Sequence, residues 1–85
     1  MNKKNRYTII YEVVGWYGVL AIVGAYFMVS FSIVMPNSLI FQLLNLTGAI
    51  GIVIISVYKR EKQTIALNIF WATIALVAII GLVIS

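Results

Sequence analysis

The fold is decided by one uncharged stretch, VVGWYGVLAIVGAYFMVSFSIVMPNSLIFQLLNLTGAIGIVIISVY, which runs from Val13 to Tyr58. As a single straight helix it would be roughly 70 Å long, more than twice the ~30 Å hydrocarbon core of a bilayer. The stretch is therefore expected to fold back on itself. The expected hinge is Pro36-Asn37-Ser38, because proline cannot continue a helix and asparagine favours turns.

The composition around this stretch is that of a membrane protein. Apolar types make up 64% of the 85 residues and charged types only 9%. Ordinary soluble domains contain about 45–50% apolar and roughly 25% charged residues, and a soluble chain of this size could not bury so much hydrocarbon. Backbone in lipid needs internal hydrogen bonds, and the chain is too short for a barrel. We therefore expect an all-α membrane protein, a single domain over 1–85, with three transmembrane helices near 9–34, 39–58 and 64–84.

The basic residues predict the orientation. All six Lys and Arg lie near the N-terminus or in the loop at 59–62, and two crossings put both clusters on the same side. Basic residues concentrate on the cytoplasmic side, which predicts a cytoplasmic N-terminus and an external C-terminus. Interfacial aromatic residues are expected on the cytoplasmic side: Tyr7, Tyr11, Trp16, Tyr17 and Tyr58. The net charge of +4 fits anionic lipid headgroups and is not evidence for nucleic acid.

Catalytic and cofactor chemistry is not indicated by the sequence. It contains no Cys and no His, and it has no Gly-rich phosphate loop, paired carboxylates or metal-ligand spacing. Its serines have no base to activate them. We expect neither an enzyme nor a bound cofactor or metal.

Glu12 is the one acidic residue within a predicted span. An intramembrane carboxylate is a candidate proton or cation site. Because Glu12 lies close to the cytoplasmic boundary, it could equally be an interfacial charge that reaches headgroups or pairs with Lys3 or Arg6. Both interpretations stay open at this point.

Two amides and two aromatic residues are the other candidate site residues. Asn45 and Asn68 would leave up to four hydrogen-bonding sites unmet in lipid, so both are expected to face inward, as interhelical contacts or as substrate contacts. The indole N–H of Trp71 also needs an acceptor and should face inward. By depth, Tyr26 is level with Asn45 and Glu12 is level with Asn68, so each pair is expected to lie close together, within one chain or across the dimer.

Small residues form stripes on all three predicted helices. The stripes are Gly18–Ala21–Ala25, Thr47–Gly51 beside Gly48, and Ala72–Ala75–Ala78. Small residues let helix backbones approach closely. One chain is expected to have two helix–helix contacts, so three stripes are more than it can use internally. We therefore expect a parallel, twofold-symmetric homodimer that packs along the first or the third stripe.

The segments GWYGVLAIVGAYFMVS, LLNLTGA and LNIFWATIAL resemble a family of small bacterial three-helix membrane proteins, often labelled permease-like and mostly uncharacterised. The resemblance covers about 12–80 and implies a bacterial inner or plasma membrane. More distantly, the chain is similar to SemiSWEET and PQ-loop transporters, which dimerise around a sugar-binding cavity. That resemblance aligns Asn68 with their substrate-binding Asn. Met28 and Val29 replace their Pro-Gln motif, and Ile52 replaces a pocket Trp.

Two classes of function follow. The first is a dimeric permease-like transporter of a small solute, with a cavity lined by Tyr26, Asn45, Asn68 and Trp71. The second is a structural or regulatory small membrane subunit without transport activity, and a holin-type pore is a further alternative. A water-accessible cavity at either amide would favour transport. Amides bonded to helix backbone in a dry seam would favour the subunit.

The orientation gives a first testable prediction. An impermeant thiol reagent added outside cells should label Asn37→Cys or Ser85→Cys and spare Gln63→Cys, because only the first two positions are predicted to be external. Labelling at position 63 alone would reverse the assigned orientation.

Overall fold

The computed structural model describes residues 6–84, and in this range the chain forms three α-helices: α1 (Arg6–Ser30), α2 (Leu39–Lys59) and α3 (Lys62–Ile84). Each is long and apolar enough to cross a membrane. The molecule measures 50 × 23 × 20 Å, so it is elongated along the helices. The predicted all-α fold with three helices of transmembrane length is confirmed.

The first helix ends earlier than predicted, at Ser30 rather than Val34. Ser32 adopts the left-handed conformation with φ of 59°. The N–H of Ile33 then donates to the carbonyl of Met28 over 2.7 Å, a Schellman motif that satisfies a terminal carbonyl and stops the helix. At its other end α1 includes Arg6, the first described residue, and so extends at least three residues beyond the predicted start.

The turn at Pro36-Asn37-Ser38 leads into α2 as expected. The Ser38 hydroxyl accepts a hydrogen bond from the Phe41 N–H over 3.2 Å, which caps the first turn of α2. The side-chain amide of Gln42 donates to the Pro36 carbonyl over 3.1 Å. The cap and the side-chain bond together fix the direction in which α2 leaves the turn.

The second and third helices are joined by only two residues, Arg60 and Glu61. Arg60 is left-handed, with φ of 60°, and the Glu61 N–H donates to the Ser56 carbonyl over 2.9 Å. This second Schellman motif lets α2 extend to Lys59 and α3 start at Lys62, so the break between them is shorter than predicted.

The helices form one layer with α2 in the middle. Helix α1 packs on α2 and α2 packs on α3, whereas within residues 6–84 no Cα of α1 lies within 8 Å of a Cα of α3. The two outer helices therefore flank α2 and do not close into a triangular bundle.

Helices α1 and α2 cross with their backbones in contact. A Cβ built on Gly18 would lie 2.5 Å from the Gly48 carbonyl oxygen, and one built on Gly51 would lie 2.8 Å from the Val14 carbonyl oxygen. No side chain fits at these positions. Because lipid is as apolar as a helix surface, such close van der Waals contact is a main source of helix association in a bilayer.

The first small-residue stripe is used inside the chain. Gly18, Ala21 and Ala25 are all buried, and a Cβ on Gly48 would lie 3.2 Å from the Ala21 Cβ. This stripe faces α2, so the expectation that it forms an interface between copies is wrong. Ala75 of the third stripe is also buried within the chain. The homodimer itself stays a prediction.

Aromatic residues expected at the cytoplasmic interface also join α1 to α2. The Tyr11 and Tyr58 rings stack with centroids 4.2 Å apart. The Tyr58 hydroxyl forms a 2.7 Å hydrogen bond with the Thr8 hydroxyl. One end of the α1–α2 pair is thus held by polar and aromatic contacts, and the middle is held by glycine packing.

Substitutions at two glycines of α1 should separate packing from helix propensity. In Gly18→Ala the new methyl meets backbone atoms of α2, and we expect a loss of about 1–3 kcal/mol in the free energy of unfolding. Gly24→Ala is the matched control, because a Cβ there meets nothing within 4 Å. The control should be neutral or up to about 1 kcal/mol more stable. Equal effects in detergent unfolding followed by circular dichroism would contradict the glycine contact.

Candidate functional site

Asn45 and Trp71 link α2 to α3. Asn45 is 5% exposed, and the Trp71 indole N–H donates to its side-chain oxygen over 3.0 Å. The Asn45 amide nitrogen donates to the Phe41 carbonyl one turn earlier, over 2.9 Å. The expected inward orientation is confirmed for Asn45. Trp71 is 42% exposed, but its indole N–H reaches the acceptor that it requires, which is Asn45.

Asn68 is bonded within its own helix. It is 6% exposed, and its amide nitrogen donates to the Thr64 carbonyl over 3.0 Å. Both amides therefore use the carbonyl four residues before them, which satisfies part of their hydrogen-bonding capacity without a ligand.

The two contacts predicted by depth do not form as hydrogen bonds within residues 6–84. Tyr26 is 71% exposed, and its neighbour Ala25 is the residue that faces α2. The side-chain oxygen of Asn45 bonds Trp71 instead. Glu12 cannot reach Asn68 because α1 and α3 are not adjacent. Position along a helix predicts depth only, whereas helix rotation and helix order decide which residues meet.

Glu12 pairs with a base from α2. Its carboxylate lies 3.2 Å from the Lys59 ammonium, and both side chains are partly exposed. The predicted pairing with Arg6 is not seen in the described part of the chain, and Lys3 lies outside the described residues. The interpretation of Glu12 as an interfacial charge is supported, with a different partner. At partial exposure, such a pair adds at most about 1 kcal/mol.

A groove with a volume of about 350 Å³ runs along α1 and α2 and is bordered at one end by Glu61 and by Thr64 of α3. Its walls and floor combine apolar and polar side chains. The lining includes Glu12, Trp16, Val19, Ile52, Ser56 and Glu61. Lys59 and Thr64 also border it. Of the five residues proposed from the sequence as a binding site, only Glu12 lines this groove.

Ser56 lies on the α2 side of this groove and was not singled out from the sequence. It is 1% exposed, and its hydroxyl has no hydrogen-bond partner among the described residues. Leaving a buried hydroxyl unpaired costs about 1–3 kcal/mol. Serine in a helix usually bonds the preceding turn, so no sequence signal separates Ser56 from an ordinary helical serine.

Comparison with known proteins identifies a family. Residues 11–85 match the model of an uncharacterised protein family, and the chain belongs to that family. Nothing in the match links it to the SemiSWEET or PQ-loop transporters, so that more distant resemblance is not supported. No curated protein and no solved structure matches the chain.

A double-mutant cycle tests the link between α2 and α3. Asn45→Leu and Trp71→Phe each remove one partner of the hydrogen bond, and their coupling energy should be about 0.6 kcal/mol and no more than about 1.7. Unfolding of the single and double variants in detergent measures it. Gly24→Ala with Trp71→Phe is the control and should be additive, because α1 and α3 are not adjacent and a Cβ at Gly24 meets nothing within 4 Å. Additivity in both pairs would contradict the bond.

Proposed function

We propose that this protein is a structural or regulatory small subunit of a bacterial cell membrane, without enzymatic activity and without a solute pathway of its own. The observation that carries the proposal is the bonding of the two buried amides. Asn45 and Asn68 both donate to carbonyls of their own helices, and the remaining oxygen of Asn45 accepts from Trp71.

The energetics of the Asn45–Trp71 pair support this function over transport. A solute that bound Asn45 would compete with an indole N–H already in place at 3.0 Å. It would also leave that N–H unpaired in a dry environment, which costs about 1–3 kcal/mol. The Asn45 side chain joins α2 to α3 through Trp71, and replacing Trp71 by a solute would break that link between the helices. The arrangement favours a fixed seam between α2 and α3.

The outer surface of α3 supports a role in assembly. Large apolar side chains cover it, and Phe70, Ile74 and Val77 are all highly exposed. In a bilayer this surface meets either lipid tails or the helices of another protein. Since α3 contacts only α2 within the described residues, most of its circumference is available to a membrane partner.

A dimeric permease-like carrier is the second candidate, and the groove favours it. Val19 lines the groove, and Tyr26 follows Val19 by two helical turns. Tyr26 therefore lies on the same face of α1 as Val19, beyond the residues that line the groove. Two parallel copies that faced each other through their grooves would enclose a shared cavity. This interface differs from the small-residue stripe of α1, which α2 occupies.

Cysteine accessibility distinguishes the two functions. In membrane vesicles of either orientation, Asn45→Cys and Asn68→Cys should resist a water-soluble thiol reagent, because the amide layer of a fixed seam is dry. Asn37→Cys, in the α1–α2 turn, is the reactive control. Reaction at position 45 from either side, with protection by a sugar, amino acid or cation that the vesicles also accumulate, would overturn the subunit proposal in favour of the carrier.

A further inference from the structure

We propose that the groove along α1 and α2 binds one phospholipid whose headgroup carries a primary ammonium, of the phosphatidylethanolamine type. The inference is independent of the proposed function, since it concerns the groove and not the Asn45–Trp71 seam. The groove combines an apolar part with a charged end, as an amphipathic ligand requires.

The apolar part of the groove suits an acyl chain. Trp16 and Val19 of α1 and Ile52 and Ile55 of α2 line it. The volume of about 350 Å³ lies at the small end of ligand pockets. Because the groove opens sideways between two membrane-length helices, a lipid can enter it laterally without crossing the protein.

The charged end of the groove selects the headgroup. The Lys59 ammonium has three donors, of which Glu12 at 3.2 Å engages one, so donors remain for a phosphate. The Glu61 carboxylate lines the same groove and forms no ion pair within the described residues. It is positioned to accept from an ammonium. The lining thus offers an ammonium to a phosphate and a carboxylate to a headgroup ammonium, which complements both charges of a zwitterionic lipid.

Ser56 is the independent sign of a ligand. Its hydroxyl is buried at the groove and lacks a partner in the described chain. A phosphate or ester oxygen of the lipid accepts from this hydroxyl, and the Thr64 side chain at the same end adds a second hydroxyl. A hydrogen bond from Ser56 to the lipid would offset the free-energy cost of burying this hydroxyl without a partner.

The experiment measures lipid binding to the full-length protein in detergent. Native mass spectrometry and thermal unfolding are recorded with phosphatidylethanolamine, phosphatidylcholine and phosphatidylglycerol of identical acyl chains. Phosphatidylcholine has the same net charge as phosphatidylethanolamine but no N–H donors. We expect phosphatidylethanolamine to bind about tenfold more tightly than the other two, the size of one hydrogen bond to a charged group.

Four variants locate the site. Glu61→Gln should abolish the preference for phosphatidylethanolamine over phosphatidylcholine, whereas Lys62→Gln, a neighbouring change outside the groove lining, should retain it. Ser56→Ala should weaken phosphatidylethanolamine binding several-fold while the lipid-free melting temperature stays equal or rises. Val19→Trp should fill the groove and reduce binding of all three lipids.

Several results would overturn the proposal. These are equal affinity for the three lipids, tighter binding of phosphatidylglycerol, or a preference that survives both Glu61→Gln and Ser56→Ala. Competition by water-soluble phosphoethanolamine as effective as the intact lipid would assign the site to a free small molecule instead. A lipid-free dimer whose assembly Val19→Trp disrupts would assign the groove to a second copy of the chain.

Discussion

Backbone contact between α1 and α2 at Gly18 and Gly48 sets the rotation of α1, and the rest of the arrangement depends on that rotation. Once the glycine face of α1 meets α2, Glu12 and Trp16 are turned toward the groove and Tyr26 is turned away from the seam. A contact that admits no side chain permits one rotation of the helix. In a bilayer, where the hydrophobic effect does not favour one apolar face over another, steric fit of this kind has to choose the orientation.

The fold could be predicted from the sequence because charges and one proline mark the helix ends. The run from Val13 to Tyr58 exceeds one span, so its reversal near Pro36 follows from length alone. Helix termini were less predictable, since Ser32 and Arg60 adopt left-handed conformations that glycine usually provides. Neither serine nor arginine signals such a cap, and α1 therefore stops before its predicted end.

The candidate site was predictable in part. Burial of Asn45 and Asn68 follows from the cost of leaving polar groups in lipid, as does the need of the Trp71 indole N–H for an acceptor. Their partners do not follow, because position along a helix gives depth and leaves rotation undetermined. Stripes of small residues carry the same ambiguity: the Gly18 stripe packs equally well against another copy or against α2. The ion pair between Glu12 and Lys59 could not be predicted either, because the sequence does not tell which helix lies beside α1.

The linear order of the helices also has a consequence for biogenesis. Within the described residues, each helix contacts only its neighbours in the chain. Helix α1 thus has its one helical neighbour, α2, before the segment for α3 has been synthesised. Assembly can follow the direction of translation, with no early segment waiting exposed for a distant one. Such sequential pairing keeps contact order low, which favours rapid and vectorial folding at the site of insertion.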